Sequence, residues 1–144
     1  MHIKVSEATP LQLDWLVAKC EGWLKGDITH PHFCKMWKEE TRTPAIYPST
    51  DWAQGGPIIE RENITLIRAN SQYLEGKNVP LWFAETDKWV GHNISTGYEG
   101  EYFDPCFMVD EAGGFYGPTP LIAAMRCFVA SRLGDEVEIP EELK

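Results

Sequence analysis

The stretch Gly117-Pro-Thr-Pro-Leu-Ile-Ala-Ala-Met-Arg-Cys-Phe-Val-Ala-Ser-Arg-Leu-Gly134 predicts a helix that is apolar on almost every side. Thr119 can cap its N-terminus, Pro120 suits the first helical position, and Gly134 ends it. A single sheet covers only one side of a helix. We therefore expect a homo-oligomer, in which a second copy covers the other side.

Arg126 interrupts this apolar helix, since its helical neighbours are Ile122, Val129, Ala130 and Leu133. A guanidinium in such surroundings needs a carboxylate, a backbone carbonyl or a ligand anion, because an unpaired buried charge is costly. An ion pair within the chain, a pair across a subunit interface and a ligand contact all remain open at this point.

A second helix begins at Thr9-Pro10, where Thr9 and Gln12 fit a capping box, and it ends at Gly22 or Gly26. One face carries an apolar stripe at helical spacing: Leu13, Leu16, Val17, Cys20 and Leu24. The opposite face carries a smaller apolar patch of Leu11, Trp15 and Ala18. This patch indicates contact with a second layer or with a partner chain.

The remaining pattern predicts short strands at 3–5, 58–59, 63–68, 79–84, 89–90 and 137–139, with residues 26–57 mostly irregular. Residues 102–109 and 115–116 are predicted to pair as a hairpin through the loop 110–114. The prediction is a single α+β domain over 1–144, with an antiparallel β-sheet packed against two principal α-helices.

The chain has 144 residues and a net charge of -9, which argues against non-specific binding to nucleic acid or to an anionic membrane. No apolar run is long enough to span a bilayer, and the N-terminus lacks the apolar stretch of a signal peptide. The four cysteines form no C-x-x-C pair. We expect a cytosolic protein with reduced thiols.

Two stretches of the sequence resemble a known protein family. Tyr47-Pro-Ser-Thr-Asp-Trp-Ala-Gln-Gly-Gly-Pro-Ile-Ile-Glu-Arg-Glu62 resembles the central signature of the NinX-like bacteriophage proteins, and 117–143 resembles their C-terminal helix and tail. The opening residues 3–22 also fit. The resemblance covers roughly half of the chain. It implies a small phage early-region protein of unknown function, made in the cytoplasm of the host bacterium, and it transfers no catalytic residue.

The segment 49–61 is the best candidate for a ligand loop. Asp51 or Ser49 can fold back onto backbone N–H groups, and the adjacent glycines permit backbone that cradles an anion. Aromatic rings elsewhere can form walls for a stacked base. The candidate ligand-binding residues are Trp52, Gln54, Gly55, Gly56, Arg61, Trp82 and Tyr116. The alternative is a rigid turn whose tryptophan fills the core and whose Arg61 pairs with Glu60 or Glu62.

Metal and catalytic chemistry have little support. His30, His32 and Cys34 stand at alternate positions, but a zinc site needs a fourth ligand. The many acids have no recognisable spacing, and no phosphate-binding loop or nucleophile motif is present. The prediction is therefore no catalytic residue, no metal and no cofactor.

Three functions follow as hypotheses. The first is a non-catalytic protein that sequesters a host nucleotide-type signal, such as an ADP-ribose derivative or a cyclic nucleotide, and so protects the phage from host defence. The second is an antagonist of a host or phage protein that acts through the Trp15 side or an acidic face. The third is a nucleotide hydrolase.

Overall fold

The computed structural model describes residues 1–23, 46–70, 80–86, 92–95, 106–109 and 114–143. These ranges contain three α-helices: α1 (Pro10–Glu21), α2 (Trp52–Arg61) and α3 (Pro120–Leu133). They also contain seven short strands: β1 (His2–Lys4), β2 (Thr65–Asn70), β3 (Pro80–Glu85), β4 (His92–Ser95), β5 (Cys106–Val109), β6 (Phe115–Gly117) and β7 (Glu136–Glu138). All strand pairs are antiparallel, so the predicted α+β class is confirmed.

The strands of the described ranges form three groups: β1 with β7, β4 with β5, and β3 between β2 and β6. The predicted hairpin of 102–109 with 115–116 is wrong, because β5 pairs with β4 and β6 pairs with β3. A Cβ at Gly117 would come within 3.0 Å of Ala123 Cα, so glycine lets β6 lie directly against α3. Helix α3 contacts β3 as well as β6. The predicted piece at 89–90 lies outside the described residues.

Helix α3 occupies the centre of the described structure, because it contacts α1, α2, β2, β3 and β6. Thr119 Oγ1 accepts a hydrogen bond from the Ile122 amide (3.2 Å), and the helix ends at Gly134, as predicted. Most of its side chains are buried inside a single copy of the chain. The apolar surface of α3 is therefore covered without a second copy. The homo-oligomer stays a prediction, but α3 no longer supports it.

Helix α1 begins and ends as its sequence predicts. The Thr9 amide donates to Gln12 Oε1 (3.0 Å) and the Gln12 amide donates to Thr9 Oγ1 (3.4 Å), which completes the capping box. Gly22 ends the helix in the left-handed conformation, with φ of 70°. Trp15 and Ala18 are buried within the chain, so the second apolar patch contacts another layer of the same chain.

The Arg126 guanidinium lies between two backbone carbonyls. Nη1 donates to the Tyr116 carbonyl (2.8 Å) and Nη2 donates to the Ala8 carbonyl (3.0 Å). Burial lowers the pKa of this guanidinium. Arg126 therefore has a structural role within the chain, with two backbone carbonyls as partners instead of a carboxylate. Its guanidinium joins the segment just before α1 to β6.

Helix α2 was not predicted. The sequence indicated irregular structure up to Pro57 and a strand at Ile58-Ile59, whereas residues 52–61 form one helix. Glycine and proline are poor helix formers, so the pattern hid this element. A local cap and a tertiary contact compensate, because Asp51 caps the helix and Ile58 is buried in the core. Strand β2 consequently begins at residue 65 instead of the predicted 63.

The two neighbouring glycines of α2 have different surroundings. A Cβ at Gly55 would lie 2.7 Å from Leu121 Cδ2 and would collide with the Pro48 carbonyl oxygen. A Cβ at Gly56 would meet only the Trp52 ring, at 3.9 Å from Cε3. Neither glycine has a positive φ, so the backbone conformation expected for a glycine turn is absent at both positions.

We therefore expect opposite effects of alanine at these positions. Gly55→Ala should destabilise the protein by about 1–3 kcal/mol, because its methyl group overpacks the contact with Pro48. Gly56→Ala should be neutral or stabilising by about 0.4–1 kcal/mol, because alanine favours the helix and meets no close neighbour. Urea unfolding of both variants measures the difference. Equal effects at the two positions would contradict the packing described for α2.

Candidate functional site

The family-like segment begins with a turn that is fastened to α1. The Ser49 amide donates to Asp14 Oδ1 (2.9 Å), and Ser49 Oγ donates to the Pro10 carbonyl (3.3 Å). Asp14 and Ser49 are both buried. Inside the turn, the Thr50 and Asp51 amides donate to the Tyr47 carbonyl (3.1 and 2.7 Å). The turn is therefore held by hydrogen bonds within itself and to α1.

The first turn of α2 is closed by its own side chains. Asp51 Oδ1 accepts from the Ala53 amide (3.0 Å), so the predicted fold-back of Asp51 is confirmed. Gln54 Oε1 accepts from the Tyr47 amide (2.7 Å), while the Gln54 and Gly55 amides donate to the Asp51 carbonyl. A carboxylate thus already occupies this helix start. The segment does not present the row of free N–H groups that an anion cradle requires.

Trp52 is the most exposed large apolar residue of the described structure, with 54% of its surface accessible. The alternative in which this tryptophan fills the core is therefore not what the structure shows. Trp52 is the first residue of α2, and Gly56 lies one turn further on the same side. Because Gly56 has no side chain, the ring stands beside a bare stretch of helix.

Trp52 belongs to a continuous exposed surface, which we call the α2 face. By helical spacing its members lie on one side of α2, and each is exposed or half-buried. The α2 face consists of Trp52, Ala53, Gly56, Pro57 and Glu60. Tyr47, in the preceding turn, is 37% exposed.

Arg61 lies at the other end of α2, about 14 Å from Trp52 along the helix axis at 1.5 Å per residue. Its Nη1 donates to Glu21 Oε2 (3.0 Å) and its Nε donates to Glu62 Oε1 (3.1 Å). The hydrogen bond to Glu21 is the main cause that raises the pKa of Arg61. The sequence suggested Glu60 or Glu62 as partners, and the structure has Glu62 together with Glu21.

Glu62 also binds Arg132 of α3, so the carboxylate joins two guanidinium groups. Burial alone would raise the pKa of Glu62, but the hydrogen bonds from Arg132 and Arg61 outweigh it, and the pKa is lowered. Both arginines also lie over the Phe128 ring, at 5.8 Å for Arg61 and 5.6 Å for Arg132. This cluster holds the C-terminal ends of the three helices together. Within it, the Arg61 guanidinium is bound by Glu21 and Glu62.

Trp82 and Tyr116 lie on opposite faces of the sheet. Tyr116 is paired with Phe83, and their rings meet edge to face at 5.2 Å. Trp82 is the neighbour of Phe83 along β3, so its side chain points to the other face, where it packs against the core. These two rings therefore cannot wall the same side of one pocket. Among the predicted site residues, the structure brings together Trp52, Gln54, Gly55 and Gly56.

The described ranges offer little for metal or catalytic chemistry. Within them, no three His, Cys, Asp or Glu side chains converge on a possible metal position. Two acidic residues of the described ranges, Asp14 and Glu85, are buried. His30, His32, Cys34, Asp87, Asp104 and Asp110 lie outside the described residues. Burial raises the pKa of the Cys20 thiol to about 11 and that of Cys127 to about 12, which disfavours the nucleophilic thiolate.

The two raised thiol pKa values predict a loss of stability in alkali. A folded-state pKa above the ordinary value of 9.0 means that the folded chain keeps protons that the unfolded chain releases. The stabilisation is complete below pH 9.0 and decreases as the pH rises towards about 12. We expect the free energy of unfolding to decrease less between about pH 8 and pH 10.5 in Cys127→Ala than in the wild type. Urea unfolding measures this free energy at each pH. An equal decrease in the variant and the wild type would contradict the raised pKa of Cys127.

Two residues of this site are not among the candidates that the sequence predicts. Asp14 is 3% exposed and anchors the turn at Ser49. Its position between Leu13 and Trp15 in the helical pattern is the available signal for its burial. Tyr47 is exposed in the turn before Trp52.

Comparison with known proteins places the chain in a phage family. In the described part of the chain, no helix has the length and apolar character needed to cross a membrane. A search of curated proteins finds no match. A family model described as "Bacteriophage P22, NinX" matches residues 4–96, which include α1, the turn at Ser49, α2 and β2 to β4. Because this match covers more than half of the 144 residues, the chain belongs to the bacteriophage P22 NinX family.

Proposed function

We propose that this phage protein is a non-enzymatic binding protein that uses the α2 face to hold and block a host or phage protein. The observation that carries the proposal is the exposure of the Trp52 indole, 54% accessible on a helix whose start is capped and fastened to α1. Tryptophan and tyrosine are the residues that most often dominate the binding energy of protein interfaces.

The shape of the α2 face supports a protein partner. Apart from Trp52 and Glu60, its members are Ala53, Gly56 and Pro57, whose small side chains let a partner approach the helix closely. Rigid anchoring also matters, because a residue that is already ordered loses little conformational entropy on binding. The Trp15 side, considered in the sequence as the contact surface, is buried and does not serve this role.

Trp52→Ala tests this proposal. Because Trp52 is exposed, we expect the free energy of unfolding to change by no more than about 0.5 kcal/mol. Loss of an interface anchor of at least about 2 kcal/mol should weaken partner binding roughly 30-fold. The measurement is retention of a protein from infected-cell lysate on the immobilised protein, followed by titration of the captured partner.

Leu133→Ala is the matched control, because Leu133 is an exposed apolar residue (40%) at the end of α3, outside the α2 face. It should leave partner binding unchanged. Normal partner binding by Trp52→Ala, or equal losses in both variants, would contradict the assignment of the α2 face.

A second candidate function is the sequestration of a nucleotide-type host signal, which would counter a defence system that depends on that signal. The absence of a side chain at Gly56 favours this candidate, because it leaves space for a base beside the Trp52 ring. A base stacked on an aromatic side chain gains about 1–3 kcal/mol of binding free energy. The phosphates are the weaker part of this candidate. Arg61 would have to leave Glu21 and Glu62 to reach them.

Thermal unfolding against a panel of cyclic nucleotides and ADP-ribose derivatives separates the two candidates. A ligand at about a hundred times its dissociation constant adds roughly 2.7 kcal/mol to stability, which raises the melting temperature by several degrees. Sequestration predicts such a shift in the wild type, no shift in Trp52→Ala, and recovery of the ligand chemically intact. A modified ligand would indicate hydrolysis, and an unshifted melt across the panel would exclude the tested signals.

A further inference from the structure

We infer that the α2 face recognises a basic protein surface, on which an arginine or lysine side chain stacks against the Trp52 indole and a second cation pairs with Glu60. This inference rests on the proposed function and specifies the chemistry of the partner. It follows from the charges around the exposed ring.

Carboxylates stand at both ends of the α2 face. Asp51 precedes Trp52, and Glu60 lies about 12 Å further along the helix axis, two turns away. The cation of this helix, Arg61, does not offset them on this surface, because it binds Glu21 and Glu62. The chain as a whole carries a net charge of -9. A basic partner is therefore attracted both at long range and at the contact itself.

The Trp52 ring suits a cation. Indole is the best aromatic acceptor for a guanidinium or an ammonium group placed over its face. The protein uses the same contact internally, since Lys19 lies over the Trp15 ring at 5.5 Å and two arginines lie over Phe128. Among the described residues, no lysine or arginine lies over Trp52. With 54% of its surface accessible, Trp52 can receive a cation from another molecule.

The spacing gives the partner a recognisable form. Two cations about 12 Å apart correspond to two turns of a partner helix, so basic residues at positions i and i+7 or i+8 match Trp52 and Glu60. An acidic or phosphorylated partner would place like charges opposite Asp51 and Glu60, which is unfavourable. The partner therefore presents a basic surface to the α2 face.

Titration with a short oligo-arginine peptide tests the inference on the intact chain, with an oligo-glutamate peptide as the control of opposite charge. The indole N–H resonance of Trp52, assigned by its loss in Trp52→Phe, reports contact at this ring alone. We expect oligo-arginine to shift it in a saturable way and high salt to abolish the effect, since salt screens exposed charges. Oligo-glutamate should leave it unchanged.

Two charge-neutralising variants locate the contact. Glu60→Gln should weaken the binding of oligo-arginine by roughly two- to fivefold, the usual range for an exposed ion pair. Glu138→Gln removes the same charge on β7, outside the α2 face, and should have little effect. Equal effects of the two variants, or a Trp52 resonance that does not move, would overturn the inference.

The proposed function can survive that failure. A partner captured through Trp52 whose binding is insensitive to salt and to Glu60→Gln would keep the α2 face as an interface and refute a basic partner. A partner that binds Trp52→Ala normally would refute the proposed function itself.

Discussion

The hydrogen bond from the Ser49 amide to the Asp14 carboxylate joins two segments that are 35 residues apart, and the placement of α2 depends on it. Asp14 is fixed on α1, so the bond determines where the turn at 47–51 lies. This turn places the Pro48 carbonyl oxygen against Gly55, where there is no room for a Cβ atom. Loss of the Asp14 acceptor would leave a buried amide without its partner, which is costly.

The fold uses nearly every polar group that makes this segment look like a ligand loop. Asp51 caps α2, Gln54 binds the Tyr47 amide, and Arg61 is held by Glu21 of α1 and by Glu62, the residue after α2. The fold leaves exposed the aromatic surface of Trp52 and the small residues beside it. A binding function is therefore inferred from the part of the segment that the fold leaves unused, while the polar residues explain its rigidity.

Local signals in the sequence predict α1 and α3, because each capping threonine lies three residues before the amide that it binds: Thr9 before Gln12, and Thr119 before Ile122. The same reasoning misses α2, because Gly55, Gly56 and Pro57 are poor helix formers. Its packing depends in part on Leu121, which is distant from Gly55 in the sequence. For the candidate site, the sequence singles out Trp52 as a residue to test. Its exposure, the Glu21 partner of Arg61 and the separation of Trp82 from Tyr116 depend on tertiary structure.

A rigid, internally bonded turn displays Trp52, and amide hydrogen exchange tests this arrangement most directly. The Tyr47, Ser49 and Asp51 amides all donate within the chain, so they should exchange as slowly as the amides of α1. In Asp14→Ala, the Ser49 amide should lose its protection while α3 keeps its own. Exchange of the Tyr47, Ser49 and Asp51 amides at the rate of an unfolded chain, with α1 and α3 protected in the wild type, would contradict the account.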